Sequence, residues 1–112
     1  MTDFIPAPGD IIFLNFNPQS GHEQGGYRPA LVLSPKEYNQ KTDLAIVCPI
    51  TSQIKNYPFK VTLPKDSPVH GAILCDHLRN LSWKNRQAKL AGKTTSSVLN
   101  EAQELIKVFL NL

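Results

Sequence analysis

The sequence predicts a mainly β fold with a C-terminal α-helix: a small, strongly bent, barrel-like sheet with the helix packed at one side. Three observations carry that prediction. Short runs rich in β-branched and aromatic residues are separated by turn signals. Nine prolines fall mostly near the ends of those runs, where a missing donor is tolerated and a sheet can turn a corner. Helical periodicity is confined to the C-terminal stretch.

Gly9-Asp10 opens the first strand, an apolar run over residues 11–17 that Pro18 closes and whose composition predicts burial. Residues 19–27 hold three glycines with Ser20, His22, Glu23 and Gln24 and form a flexible loop, of a length that is commonly functional. A second strand covers 28–33, with Pro29 near its start and Pro35 ending it. Residues 36–42 make a short turn or helical piece. Strands follow at 44–49, at 59–63 after the loop 51–58, and at 71–75, with a short sixth at 88–91; the spacings predict antiparallel pairing. Val98, Ala102, Leu105, Ile106 and Phe109 then recur at helical spacing, and the hydroxyls of residues 94–97 can cap the first turn.

At 112 residues the chain is expected to form one domain, 1–112, large enough to bury about two thirds of its unfolded surface. No apolar run approaches the ~20 residues that cross a bilayer. Residues 1–9 carry two prolines and an aspartate where a signal peptide needs an apolar core, so the expected place is the cytoplasm, away from membranes. Cys48 and Cys75 each sit inside an apolar run, without a Cys-x-x-Cys pair or a nearby histidine. They read as buried free thiols.

The net charge of +3 says little until it is located. Between His77 and Asn100 there are five basic residues and no acidic one, while the stretches on either side are each slightly acidic. Arg79, Lys84, Arg86, Lys89 and Lys93 share that segment with Trp83, an interleaving that suits a nucleic-acid backbone and its bases. A solvated basic edge is the other reading of the same residues. Phosphate-binding glycine loops, dinucleotide fingerprints, His-x-x-x-His pairs and Gly-x-Ser-x-Gly elbows are all absent from the sequence, which removes the common cofactor and metal enzymes. Two polar loops remain: 21–27, which runs into Arg28-Pro29, and the hydroxyl-rich 49–55.

Several motifs occur in order along nearly the whole chain. They are Gly9-Asp10-Ile11, Glu23-Gln24-Gly25 followed by Arg28-Pro29-Ala30-Leu31-Val32-Leu33-Ser34-Pro35, Tyr38-Asn39, Cys48-Pro49-Ile50-Thr51-Ser52-Gln53, and Tyr57-Pro58-Phe59. Together with residues 71–76 and 83–86 they resemble the MazF/PemK family of toxin endoribonucleases. The resemblance implies the small SH3-like barrel of the PemK/CcdB toxin type, active as a homodimer without metal or cofactor. It further implies cleavage of single-stranded mRNA at short sequences, by attack of a ribose 2′-hydroxyl that leaves a cyclic phosphate and a 5′-hydroxyl, and silencing by an acidic antitoxin.

The family's catalytic arginine and threonine fall on Arg28 and Thr51, and its loop glutamate on Glu23. A guanidinium fork suits the charge that gathers on phosphoryl oxygens, whereas Glu23 or His22 is the easier proton acceptor. The loops and the basic segment supply His22, Gln24, Tyr27, Ser52, Gln53, Lys55, Trp83, Lys84 and Arg86 as RNA-contacting candidates. His70 and His77 carry no signal of their own, although His77 stands where relatives often have glutamine, and Asn15 and Asn17 stand where acidic residues are common. Two alternatives remain open: a non-catalytic toxin of the CcdB kind that binds DNA gyrase, and a non-cleaving RNA-binding module. Without the resemblance, Arg28 could equally form a structural ion pair with Glu23 or Asp10, Thr51 could be turn chemistry, and Trp83 could be core.

Overall fold

The structure, a computed structural model, describes residues 4–18, 20–21, 24–53 and 56–112. Its elements run β1 (Asp10–Asn15), β2 (Tyr27–Val32), α1 (Lys36–Thr42), β3 (Leu44–Thr51), β4 (Lys60–Thr62), β5 (Ala72–Leu74), β6 (Arg79–Ser82), β7 (Lys89–Lys93) and α2 (Ser96–Leu110). All pairings are antiparallel, as the spacings predict. The sheet runs in the order β4-β5-β3-β2-β1-β7, with β6 attached to β3, and this barrel-like path stays open.

β3 is the element on which the site depends. One side pairs with β2 through residues 47–49. The other pairs first with β6, at residues 44–47, and then with β5, at 50–51. Pro49, which has no N–H to offer a ladder, falls in the gap between those two partner stretches. The sheet changes partner there without leaving a donor unpaired.

The inner strands bury both faces, which is why their sequences read as continuous apolar runs rather than alternating ones. On one face Ile11, Leu31, Cys48, Ile50 and Ile73 pack beneath Val98 and Ala102 of α2. On the other, Ile12, Leu14, Phe16, Ala30, Val32 and Val47 meet Leu81, Trp83, Phe4 and Ile5. α2 starts at Thr95, whose side chain accepts from the Val98 amide, one of the hydroxyls the sequence offered. Thr95→Ala should lower stability by about 1 kcal/mol in urea denaturation.

β6 is the strand that the sequence reading omits. Of Arg79-Asn80-Leu81-Ser82 only Leu81 is buried, so an edge strand with one inward residue hides inside a polar, basic stretch. The first strand ends at Asn15 rather than Asn17, and the third extends through Thr51. Asn39, fully buried, donates to the carbonyls of Pro6 and Ser34 and accepts from the Ser34 hydroxyl, and its own carbonyl takes the Trp83 indole N–H at 3.0 Å. Cys48 and Cys75 are buried free thiols. Burial pushes the Cys75 thiol up to about 12 and that of Cys48 up as well.

Candidate active site

The strand register sets the site. Leu14 pairs with Arg28, Ala30 with Pro49, Thr51 with Ala72, and Lys60 with Leu74. Carried two residues beyond Ala30 and Pro49, the β2–β3 register brings Arg28 level with Thr51. Side chains alternate along a strand, so Arg28, Thr51 and Ala72 project from one face. They line a cleft of roughly 770 Å³ with Gln24, Ser52, Gln53, Tyr57, Lys60, Leu74 and His77. The arginine and the threonine, far apart in sequence, therefore share one concavity.

Hydrogen bonds leave both groups with donors to spare. Arg28 gives its Nε–H to the Gly25 carbonyl at 2.8 Å and one Nη1–H to Gln24 Oε1 at 2.6 Å. A guanidinium has five N–H bonds, so three remain unbonded among the described residues. Among the described residues no carboxylate forms an ion pair with it, and Asp10, one candidate partner, instead holds Lys93 at 3.0 Å. Thr51 Oγ1 accepts the Gln53 amide at 3.2 Å, which occupies a lone pair, and among the described residues nothing takes the hydroxyl hydrogen. Lys60 adds an ammonium group to the same cleft. The arrangement offers convergent donors on a positive background, suited to an anionic oxygen.

Of the sequence candidates, Gln24, Arg28, Thr51, Ser52 and Gln53 meet in the cleft. Glu23, His22 and Lys55 lie outside the described residues. Four others stand elsewhere, each for a visible reason. Trp83 is only 8% exposed, with its indole N–H bound to Asn39, so its expected role as an RNA platform is corrected to a core role. Lys84 pairs with Asp43 at 3.5 Å and lies over the Trp83 ring. Arg86 gives Nη1 to the carbonyls of Asn15 and Asn17, and Arg79 gives Nη1 to that of Phe16. Two arginines thus hold three successive carbonyls at the stem of the β1–β2 connection. Tyr27 is exposed but stacks on Phe13 and donates to the Gln87 carbonyl, apart from the cleft.

Tyr57, Lys60 and His77 are cleft residues that sequence reasoning did not single out. Tyr57 appeared only within a family motif, Lys60 at a strand start, and His77 as a histidine without context. Asp76-His77 directly after a buried strand was the available signal, since the end of a strand is where side chains gather around a cleft.

Residues 7–110 match the family described as PemK-like, MazF-like toxin of type II toxin-antitoxin system. The chain is 39% identical over 109 residues to the endoribonuclease toxin MazF of Escherichia coli (strain K12), covering 97% of this chain and 94% of that protein. Its fold is similar to the crystal structure of MazF from Deinococcus radiodurans, with a TM-score of 0.94 at 47% identity over 98% of this chain and all of that one (100%). A MazE-MazF crystal structure from the same organism matches with a TM-score of 0.86 at 41% identity, covering 98% and 99% of the two chains.

Proposed function

Since the chain belongs to the PemK-like, MazF-like toxins of type II toxin-antitoxin systems, we propose that the cleft shared by Arg28 and Thr51 is where it cuts RNA. The protein is a toxin endoribonuclease. The observation that supports this placement best is the donor count: among the described residues, three N–H bonds of Arg28 and the hydroxyl hydrogen of Thr51 are left unspent in one concavity.

The reaction is transesterification at the scissile phosphate. A 2′-hydroxyl loses its proton and attacks the adjacent phosphorus, the 2′-O–P bond forms as the P–O5′ bond breaks, and the departing 5′-oxygen gains a proton. Negative charge rises on the phosphoryl oxygens in between, and there the Arg28 fork and the Thr51 hydroxyl act, with Lys60 raising the local potential. Gln24 and the Gly25 carbonyl hold the guanidinium so that little reorganisation is needed during the reaction. The sequence supplies Glu23 and His22 as acceptors for the 2′-hydroxyl proton, and Glu23 is the group we assign.

The 112 residues act as one toxin domain, in the cytoplasm and as a homodimer. No helix among the described residues is long and apolar enough to cross a membrane. A cognate antitoxin silences the toxin, and an acidic extended segment laid over the cleft would compete directly with RNA. The test is a digest of a long single-stranded RNA in the presence of EDTA, with the ends mapped. Cyclic phosphate and 5′-hydroxyl ends at a short recurring sequence are expected. Intact RNA, or 5′-phosphate ends, would overturn the mechanism.

A further inference from the structure

Tyr57, Asp76 and His77 form a bonded cluster on the wall between the cleft and a smaller recess. His77 lines both spaces. The recess, roughly 310 Å³, is bounded by the apolar Pro49 and Leu78 and by the polar Gln24, Asp76 and Arg79. That mixture suits one splayed nucleobase, with an apolar surface for its ring and polar groups for its edge.

The hydrogen-bond directions fix the imidazole. Tyr57 has one hydroxyl hydrogen, and it goes to Asp76 Oδ2. Its oxygen is therefore the acceptor toward His77 Nε2, 3.3 Å away. Asp76 Oδ1, buried and without a hydrogen-bond partner among the described residues, lies 3.8 Å from the same nitrogen and puts negative charge on that side of the ring. The Tyr57 oxygen and the nearby Asp76 charge favour the hydrogen on Nε2, and a neutral ring in that tautomer carries its lone pair on Nδ1. No described residue bonds to Nδ1, and the side chain is 22% exposed. Tyr57 keeps its proton at physiological pH, because burial and then the bond to Asp76 push it up to about 12.

We propose that His77 reads the RNA base seated in the recess, Nδ1 accepting a hydrogen bond from an amino or imino group on the base edge, with Tyr57 and Asp76 as positioning residues. An acceptor at that point favours a base that presents a donor and repels one that presents a carbonyl. This rests on the cleft being the site of RNA cleavage.

The test compares cleavage maps of one long single-stranded RNA of mixed sequence for the unsubstituted protein, His77→Asn, His77→Gln and Tyr57→Phe. An asparagine amide reaches the place of Nδ1, and a glutamine amide that of Nε2. His77→Asn should keep the base preference at one position beside the cut. His77→Gln should lose it, with kcat/KM falling about tenfold at preferred sites and little elsewhere. Tyr57→Phe, which removes the hydrogen-bond acceptor at Nε2 but leaves the Asp76 charge beside it, should weaken the same preference by a smaller factor. An unchanged map in His77→Gln, or an equal fall at every site, would overturn the proposal, the latter marking proton transfer or plain structural support. If His77→Gln does not fold, Tyr57→Phe decides, and an unchanged preference there counts against the proposal. An unsubstituted protein that cuts no RNA would instead refute the ribonuclease reading beneath it.

Discussion

Arg28→Ala yields a folded protein that cuts RNA about a thousandfold more slowly, with the loss mainly in kcat. The guanidinium addresses charge that exists only while the 2′-O–P bond forms, so removing it raises the transition state more than it weakens substrate binding. Arg28→Lys keeps the charge but not the fork; its single ammonium cannot hold two phosphoryl oxygens and the Gly25 carbonyl together, so about a hundredfold loss should persist. Thr51→Ala removes one hydroxyl donor and should cost a similar factor. Stability should change little, by about 1 kcal/mol for Arg28→Ala, because among the described residues the side chain bonds to Gly25 and Gln24 of its own loop. Single-turnover cleavage of a short RNA, paired with urea denaturation, checks both halves. Full activity in Arg28→Ala would end the site assignment.

Gly71→Ala should damage stability and activity together. The backbone at Gly71 has φ +133°, a conformation that L side chains rarely adopt. A Cβ there would stand 2.2 Å from the Thr51 carbonyl oxygen and 2.9 Å from its carbonyl carbon. Both are backbone atoms, so β3 and β5 must part where Thr51 pairs with Ala72. We expect a loss of about 3 kcal/mol in urea denaturation. Cleavage by the fraction that stays folded should also slow, since the displaced residue is the one that carries the hydroxyl. An unchanged midpoint would show that the strands yield there without strain.

The elements that were legible in the sequence are those whose residues meet the core. Apolar runs and their proline boundaries located six of the seven strands, and α2 followed from Val98, Ala102 and their helical repeats. β6 escaped because an edge strand that buries only Leu81 carries too little pattern. The polar loops stood out by composition, but Arg28 and Thr51 were found by resemblance rather than by chemistry; nothing in the residue types alone says that positions 28 and 51 come level across two strands. Charge misled in the opposite direction. Trp83, Lys84 and Arg86 interleave like an RNA-facing surface, yet they serve Asn39, Asp43 and the carbonyls of Asn15 and Asn17. Linear counting cannot tell a free cation from one that a neighbouring carboxylate or carbonyl already engages. Tyr38-Asn39 entered only as part of the family resemblance, and the buried Asn39 proves to be a structural hub.

Three neighbours share β3, and Thr51 is its last residue. Amides along that strand belong with the slowest to exchange with solvent, because opening them requires dismantling most of the sheet. Bending this strand would work against its ladders to three neighbours, so covering the cleft is the less costly way to switch the toxin off. We expect inhibition by occlusion, so that its relief returns a cleft whose Thr51 hydroxyl is already placed.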